Sequence, residues 1–343
     1  MDVPVMKKER EQFLDILRGG AAVCIVLYHY TARFDEMIGH KAIWSFNLPW
    51  GWMAWSIFFI MTGYLVYPKS KSVSNFIIGK AVRLYPGYWA AMFISFIVSS
   101  TYLSEYKVSV LDFVIDLSML GNYLGVKSVV GVDWFLSVEL IFYALIVFVI
   151  MLQNKKSFCM TKIIATWSAI SFALMLLKGM GIEILILKIV GILLAAQYAH
   201  LFSVGYFLRR IKQKSGNMKS NLMYVFFSLI AHWIAFRSIG FELFYCVIVI
   251  LFLCFAFDLN LKFTNKTDGI TQILARFLIW IAGISYPLYL VHEYLGFAIL
   301  KYLDEIGLTN EFFIIVPIGI SFFIAFTIHK YIEQPISRLY DKK

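Results

Sequence analysis

The chain has 343 residues, of which 61% are hydrophobic and 15% are charged, whereas ordinary soluble domains carry about a quarter charged residues. This composition excludes a soluble globular protein and predicts an all-α, polytopic integral membrane protein. The net charge of +10 is dispersed among short loops rather than concentrated in one patch. It therefore indicates membrane topology and argues against a nucleic-acid partner.

Ten segments of the chain are apolar over roughly the 20 residues that a membrane-spanning helix needs. They lie at 13–33, 50–67, 85–103, 133–152, 161–178, 184–208, 221–238, 240–257, 275–300 and 311–332. The sixth and ninth segments are longer than a perpendicular span requires, so we expect them to be tilted or broken, and Pro287 lies inside the ninth. The sequence therefore predicts about ten transmembrane helices.

Basic residues in the connecting segments predict the topology of these spans. Lysine and arginine are concentrated before the first span, in every second loop and after the last span, beginning with Lys7, Lys8 and Arg10. Because cytoplasmic loops carry an excess of such residues, both termini are predicted to be cytoplasmic. An even number of spans fits this alternation.

The first span contains two ionisable residues, Arg18 near its start and His29 near its end. Ionisable groups within a bilayer are costly, and their presence indicates a functional site by default. Eleven residues separate the two, which is roughly 16 Å along a helix axis and places them on nearly the same face. We therefore expect chemistry that involves both sides of the membrane.

Two further predicted spans bring polar residues to the depth of His29 when the rise per residue is applied to the predicted topology. Glu139 lies in the fourth span, and His292 and Glu293 lie in the ninth. A histidine beside a carboxylate suits general-base catalysis, so His29 and Glu139 are predicted to form such a pair. The alternative is that these polar groups only tie helices together.

A second group of ionisable residues is predicted at the cytoplasmic level. It comprises Arg18, Lys80, Arg83 and Glu333. Arginine side chains suit phosphate groups because of their forked geometry. The alternative for Arg83 is a topological anchor, and Asp15, three residues before Arg18, is a possible local partner for that arginine.

Six segments in this order resemble the membrane acyltransferase 3 family, and together they extend over residues 13–339. They read FLDILRGGAAVCIVLYH, SIFFIMTGYLV, KAVRLYPGYW, DWFLSVELIFYAL, ISYPLYLVHEYL and YIEQPISRL. The first contains Arg18 and His29 in the family's Arg-x10-His pattern. The resemblance implies one membrane domain over 1–343, without an appended soluble domain.

The resemblance also implies roles for individual residues. His29 resembles the family's essential histidine and Arg18 its arginine partner. Arg83 matches the arginine before Leu-x-Pro, with Lys80 in the neighbourhood where the family often has further arginines, and Glu139 matches the glutamate of the Trp-x-Leu-Ser-Val-Glu-like motif. The implied roles are catalysis for His29 and Glu139, and binding of acetyl-coenzyme A for Arg18, Lys80 and Arg83.

These implications lead to the hypothesis of an O-acetyltransferase in the bacterial inner membrane. It would move an acetyl group from cytoplasmic acetyl-coenzyme A, without a metal, to a hydroxyl of an extracytoplasmic glycan or lipid-linked sugar of O-antigen or capsule type. Asp133, Trp134 and His292 are the candidate acceptor-binding residues, and membrane lipid surrounds the domain. Two alternatives remain from the residues alone: a transporter of polysaccharide or lipid-linked sugar, and a helical scaffold for a biosynthetic complex.

Overall fold

The computed structural model describes residues 12–39, 46–66, 72–154, 160–257 and 269–341. All regular secondary structure within these ranges is helical, which confirms the all-α prediction. In chain order the helices are α1 (Gln12–Met37), α2 (Gly51–Leu65), α3 (Val73–Thr101), α4 (Val110–Asp116), α5 (Gly121–Leu124), α6 (Trp134–Asn154), α7 (Met160–Gly179), α8 (Leu185–Leu193), α9 (Ala199–Lys212), α10 (Met218–Phe236), α11 (Ile239–Ala256), α12 (Gly269–Glu305) and α13 (Glu311–Asp341).

Seven helices in the described part of the chain are long and apolar enough to cross a membrane: α1, α3, α6, α7, α11, α12 and α13. The chain is therefore a multi-pass membrane protein, although the number of such helices differs from the predicted ten. The second predicted span corresponds to the shorter apolar helix α2, and the seventh corresponds to α10, which carries the polar side chains Asn221 and His232. Local features of the sequence account for these differences.

The sixth predicted span is divided into two helices, α8 and α9. Between them Ala195 adopts a left-handed backbone conformation with φ of 46°. A residue with a Cβ atom rarely adopts this conformation, and it cannot continue a right-handed helix. This backbone reversal is the physical reason for the break that the length of the segment had indicated.

Many of the basic residues used to predict topology lie outside the described residues. Lys7, Lys8 and Arg10 precede the first described residue, and the segments 67–71, 155–159 and 258–268 contain much of the remaining loop charge. The cytoplasmic orientation of the termini therefore stays a prediction. The two ends of the bundle are named below by residues of α1, as the Arg18 end and the His29 end.

Helix α12 is the central element of the architecture, because it packs against α1, α3 and α13. Hydrogen bonds fix these contacts. The Tyr30 hydroxyl donates to the His292 carbonyl at 2.9 Å and lies 2.7 Å from the Ser321 hydroxyl, so it joins α1, α12 and α13. The Tyr286 hydroxyl donates to the Leu84 carbonyl of α3 at 2.8 Å. Side chains on α12 are thereby held against three neighbouring helices.

The 102–133 segment between α3 and α6 is anchored through its own backbone carbonyls. Tyr88 donates to the Asp116 carbonyl at 2.8 Å, Trp89 to that of Leu117 at 3.1 Å, and the Ser137 hydroxyl to that of Met119 at 2.7 Å. Buried carbonyl groups need such partners, because an unsatisfied one is costly. The segment is consequently held in one conformation against the helices.

Candidate active site

His29 lies where the regular α-helix of α1 changes to a π-helical turn, His29–Arg33. Such turns are rare, and they occur frequently at functional sites. The side chain is buried, with 9% of the residue exposed. The buried position of an ionisable group within a span agrees with the functional interpretation of this residue.

The carboxylate beside His29 is that of Glu293. His29 Nδ1 lies 3.7 Å from Glu293 Oε1, and neither His29 Nδ1 nor Glu293 Oε2 has a hydrogen-bond partner among the described residues. The His292 ring lies on the other side, with its centroid 4.7 Å from that of His29. Two imidazoles and one carboxylate thus meet in a buried position, and we call these three residues the His29 cluster.

The hydrogen bonds of His292 indicate its tautomer. Its Nδ1 atom lies 2.7 Å from the Tyr289 carbonyl oxygen and 3.1 Å from that of Leu288. Because both partners are acceptors, we assign the proton to Nδ1, which leaves an acceptor lone pair on Nε2 in the neutral ring. No group of three or more His, Cys, Asp or Glu side chains among the described residues is arranged to hold a metal ion.

The 102–133 segment covers Glu293 through Gly131. Gly131 has a φ of 81°, and a Cβ atom built at this position would lie 2.2 Å from Glu293 Oε2. Both the left-handed backbone and the close approach therefore require glycine. The carboxylate of Glu293 is consequently held between the segment and the imidazoles.

The predicted cationic group lies around a cavity at the Arg18 end. The cavity has a volume of about 530 Å³, within the range typical of small-molecule sites. Its lining includes Arg18, Lys80 and Arg83 from α1 and α3. Arg18 also has Asp15 nearby, with 3.9 Å between the guanidinium and the carboxylate. The structure therefore brings the three predicted donor-binding residues to one cavity.

Glu139 lies in this cavity, and its hydrogen bonds are formed there. Its Oε1 atom accepts from the Thr62 hydroxyl at 2.8 Å and from the Tyr143 hydroxyl at 2.5 Å. The predicted pairing of His29 with Glu139 is thus replaced by the contact between His29 and Glu293. The two carboxylates were assigned similar depths, but the structure places Glu139 in the cavity with Lys80 and Arg83, whereas Glu293 lies beside His29.

An aromatic wall separates the cavity from the His29 cluster. Phe58, Phe135 and Tyr289 belong to the cavity lining, which does not include His29. The Tyr289 ring lies 5.9 Å from the His292 ring and 5.5 Å from that of Phe135, and its hydroxyl donates to the Val132 carbonyl at 2.7 Å. Tyr289 therefore lies between the cavity, which it lines, and the His292 ring of the His29 cluster.

The two candidate acceptor-binding residues at the start of α6 occupy different surroundings. Trp134 belongs to an aromatic group, with its ring 5.6 Å from that of Trp55 and 5.7 Å from that of Tyr198. Asp133 is buried beside Asp116, and burial together with this second carboxyl raises the pKa of Asp133 well above its usual range. The structure places His292 in the His29 cluster, apart from the aromatic group that contains Trp134.

Sequence reasoning missed a second imidazole–carboxylate pair. His329 Nδ1 lies 2.8 Å from Glu333 Oε2, and both residues line the cavity. They bound another π-helical turn, His329–Glu333. The sequence signal was a histidine four residues before a glutamate in an otherwise apolar helix, which places the two on one face.

The comparison with known families agrees with these features. The family model for the acyltransferase domain of the acyltransferase 3 family matches residues 11–331, nearly the whole chain. The chain belongs to the acyltransferase 3 family. Neither curated proteins nor solved structures give a match to it. The match to the acyltransferase 3 family includes the first helix with Arg18 and His29, α12 and most of α13.

Proposed function

We propose that this protein is an O-acetyltransferase of the bacterial inner membrane that moves an acetyl group from cytoplasmic acetyl-coenzyme A to a hydroxyl of an extracytoplasmic glycan, of O-antigen or capsule type. One observation carries the proposal: a cationic cavity and a buried imidazole–carboxylate cluster adjoin along a single helix, α12. Membership of an acyltransferase family supports the reaction class.

Binding of the donor uses the cations of the cavity. Coenzyme A carries several phosphate charges, which arginine recognises through paired N–H groups and lysine as a point charge. Arg18, Lys80 and Arg83 meet at the cavity from two helices and supply both kinds of group. The nucleotide end of the donor therefore binds at the Arg18 end, and its thioester extends toward Tyr289.

The transfer step uses His29 as the general base. Its Nε2 atom takes the proton from the acceptor hydroxyl while the hydroxyl oxygen forms a bond with the thioester carbonyl carbon. The carbon–sulfur bond then breaks, and the coenzyme A thiolate recovers a proton from the imidazolium. Glu293, 3.7 Å from Nδ1, stabilises the positive charge that the ring carries between these two events.

Tyr289 determines how the two substrates meet. Arg18 and His29 are eleven residues apart, roughly 16 Å along the helix axis, and the aromatic wall lies between the cavity and the His29 cluster. The Tyr289 side chain therefore turns aside for the thioester to reach His29. Proximity of the bound thioester and hydroxyl then replaces a bimolecular collision.

Substitution of His29 tests the function. We expect His29→Ala to insert into the membrane in wild-type amounts and to abolish acetylation of the surface glycan, measured as O-acetyl content by mass spectrometry. Purified wild-type protein should also bind or hydrolyse acetyl-coenzyme A, which a transporter or scaffold would ignore. Wild-type O-acetyl content in the His29→Ala strain would refute the assigned role.

A further inference from the structure

Two long helices that line the cavity contain an internal proline. Pro86 lies in α3 and Pro287 in α12. Proline has no N–H group, so the carbonyl four residues earlier loses its helical hydrogen bond. The carbonyls concerned are those of Val82 and Gly283. Within a membrane such carbonyls need another partner, from neighbouring groups or from the contents of a polar cavity.

Both residues with a released carbonyl line the cavity. Gly283 has no side chain, so its main chain forms the cavity surface at this point, and a Cβ atom built there would meet nothing within 4 Å. The nearby Ser285 hydroxyl donates its proton to the Ala282 carbonyl at 2.9 Å, so it does not donate to the Gly283 carbonyl. At Gly283 the cavity wall is therefore main chain, and Val82 of α3 lines the same cavity.

One hydrogen bond joins the two helices close to their prolines. The Tyr286 hydroxyl, next to Pro287, donates at 2.8 Å to the Leu84 carbonyl, two residues before Pro86. This bond joins α12 to α3 at the level where both helical hydrogen-bond ladders are interrupted. The two released carbonyls thus belong to one region of the cavity, although they come from separate helices.

This region lies between the cations and the aromatic wall. Gly19, next to Arg18, packs on the Leu278 carbonyl of α12, because a Cβ at this glycine would lie 2.0 Å from that oxygen. Gly283 follows Leu278 by roughly 7 Å along the helix axis, and Tyr289 follows Gly283 by roughly 9 Å. The order along α12 is therefore cations, released carbonyls, aromatic wall and His29 cluster.

A metal cation is a poor fit for these carbonyls, because Arg18, Lys80 and Arg83 line the same cavity. An amide N–H is a good fit, since it is neutral and only donates. We propose that the Val82 and Gly283 carbonyls accept hydrogen bonds from the two amide N–H groups of the pantetheine arm of the donor. This inference rests on the proposed function, and it adds two main-chain acceptor groups to the donor site.

Pro287→Ala tests the inference, because alanine supplies the missing N–H to the Gly283 carbonyl. Binding of coenzyme A should weaken about three- to tenfold, the effect of one hydrogen bond, while binding of adenosine 3′,5′-bisphosphate, which lacks pantetheine, should not change. Pro86→Ala should act in the same way at Val82. Pro317→Ala is the matched control, because Pro317 lies near the start of α13 and outside the cavity lining.

A second ligand distinguishes the loss of one hydrogen bond from a displacement of α12 in the Pro287→Ala variant. In a coenzyme A analogue an ester oxygen replaces one pantetheine amide N–H. When the replaced amide is the one that binds the Gly283 carbonyl, the wild type should bind coenzyme A about three- to tenfold more tightly than the ester analogue. Pro287→Ala should bind coenzyme A and the ester analogue equally. We expect this loss of discrimination even if both affinities fall.

Two outcomes overturn the inference. In the first, Pro287→Ala binds coenzyme A as tightly as the wild type does; in the second, the variant keeps the wild-type preference for the amide compound, whatever its affinities. Binding of neither coenzyme A nor the bisphosphate by the wild type would instead refute the proposed function.

Discussion

Glu293→Gln tests whether the carboxylate that assists His29 is Glu293, as the structure indicates, or Glu139, as the sequence predicted. Glutamine preserves the shape of the side chain and removes its negative charge. A unit charge pair at the observed 3.7 Å is worth about 4.5 kcal/mol at an effective dielectric constant near 20, which is roughly a thousandfold in rate. General-base assistance typically contributes about 10²- to 10⁴-fold, so we expect kcat to fall about 10²- to 10³-fold.

The assay is release of coenzyme A from acetyl-coenzyme A by purified protein in the presence of acceptor, together with equilibrium binding of the donor. Glu293→Gln should lower kcat and leave donor affinity unchanged, whereas Glu139→Gln should alter donor affinity, because Glu139 lines the cavity. Glu36→Gln is the control, since this carboxylate is exposed and pairs with Arg33. Wild-type kcat in Glu293→Gln, with a large loss of kcat in Glu139→Gln, would contradict the reasoning.

Two further predictions concern the 102–133 segment and its junction with α6. Gly131→Ala should destabilise the protein by about 1–2 kcal/mol, because its backbone is left-handed, and thermal unfolding measures this effect. The variant should also lower acetyl transfer in the coenzyme A assay, because the new methyl group displaces the Glu293 carboxylate. Unchanged values in both measurements would contradict the prediction. Burial and Asp116 raise the pKa of Asp133 in the folded protein, so its contribution to stability is complete below the ordinary pKa of aspartate and is lost as pH rises through the raised value. Asp133→Asn should therefore reduce the fall in unfolding temperature as pH rises above the ordinary pKa of aspartate, and a slope equal to that of the wild type would argue against the buried pair.

The sequence predicted the features that depend on composition and on spacing along one helix. Arg18 and His29 lie eleven residues apart on α1, and this separation follows from the rise of a helix. Arg18, Lys80 and Arg83 line one cavity, and their grouping as donor-binding residues was implied by the family resemblance. Ala195 shows the limit of such reasoning, since a single left-handed residue divides a segment that is apolar throughout.

The partner of His29 could not be predicted from depth alone. The rise per residue gave Glu139 and Glu293 similar depths, but the structure places Glu139 in the cavity and Glu293 beside His29, across the aromatic wall. Packing decides this: Tyr30 fixes α1 against α12, and Thr62 and Tyr143 hold Glu139 in the cavity. Contacts between distant parts of the chain carry this information, and a local pattern does not contain it.

The aromatic wall at Tyr289 has a consequence for the ion gradients across the membrane. A water-filled channel from one face of the membrane to the other would let protons and ions leak down the membrane potential, which is worth about 2.3 kcal/mol per unit charge at 100 mV. In the proposed cycle Tyr289 would turn aside only for the donor arm, so that arm would fill the passage and the two aqueous compartments would not become continuous. An acyltransferase that works in this way would transfer its acyl group while the membrane stays electrically sealed.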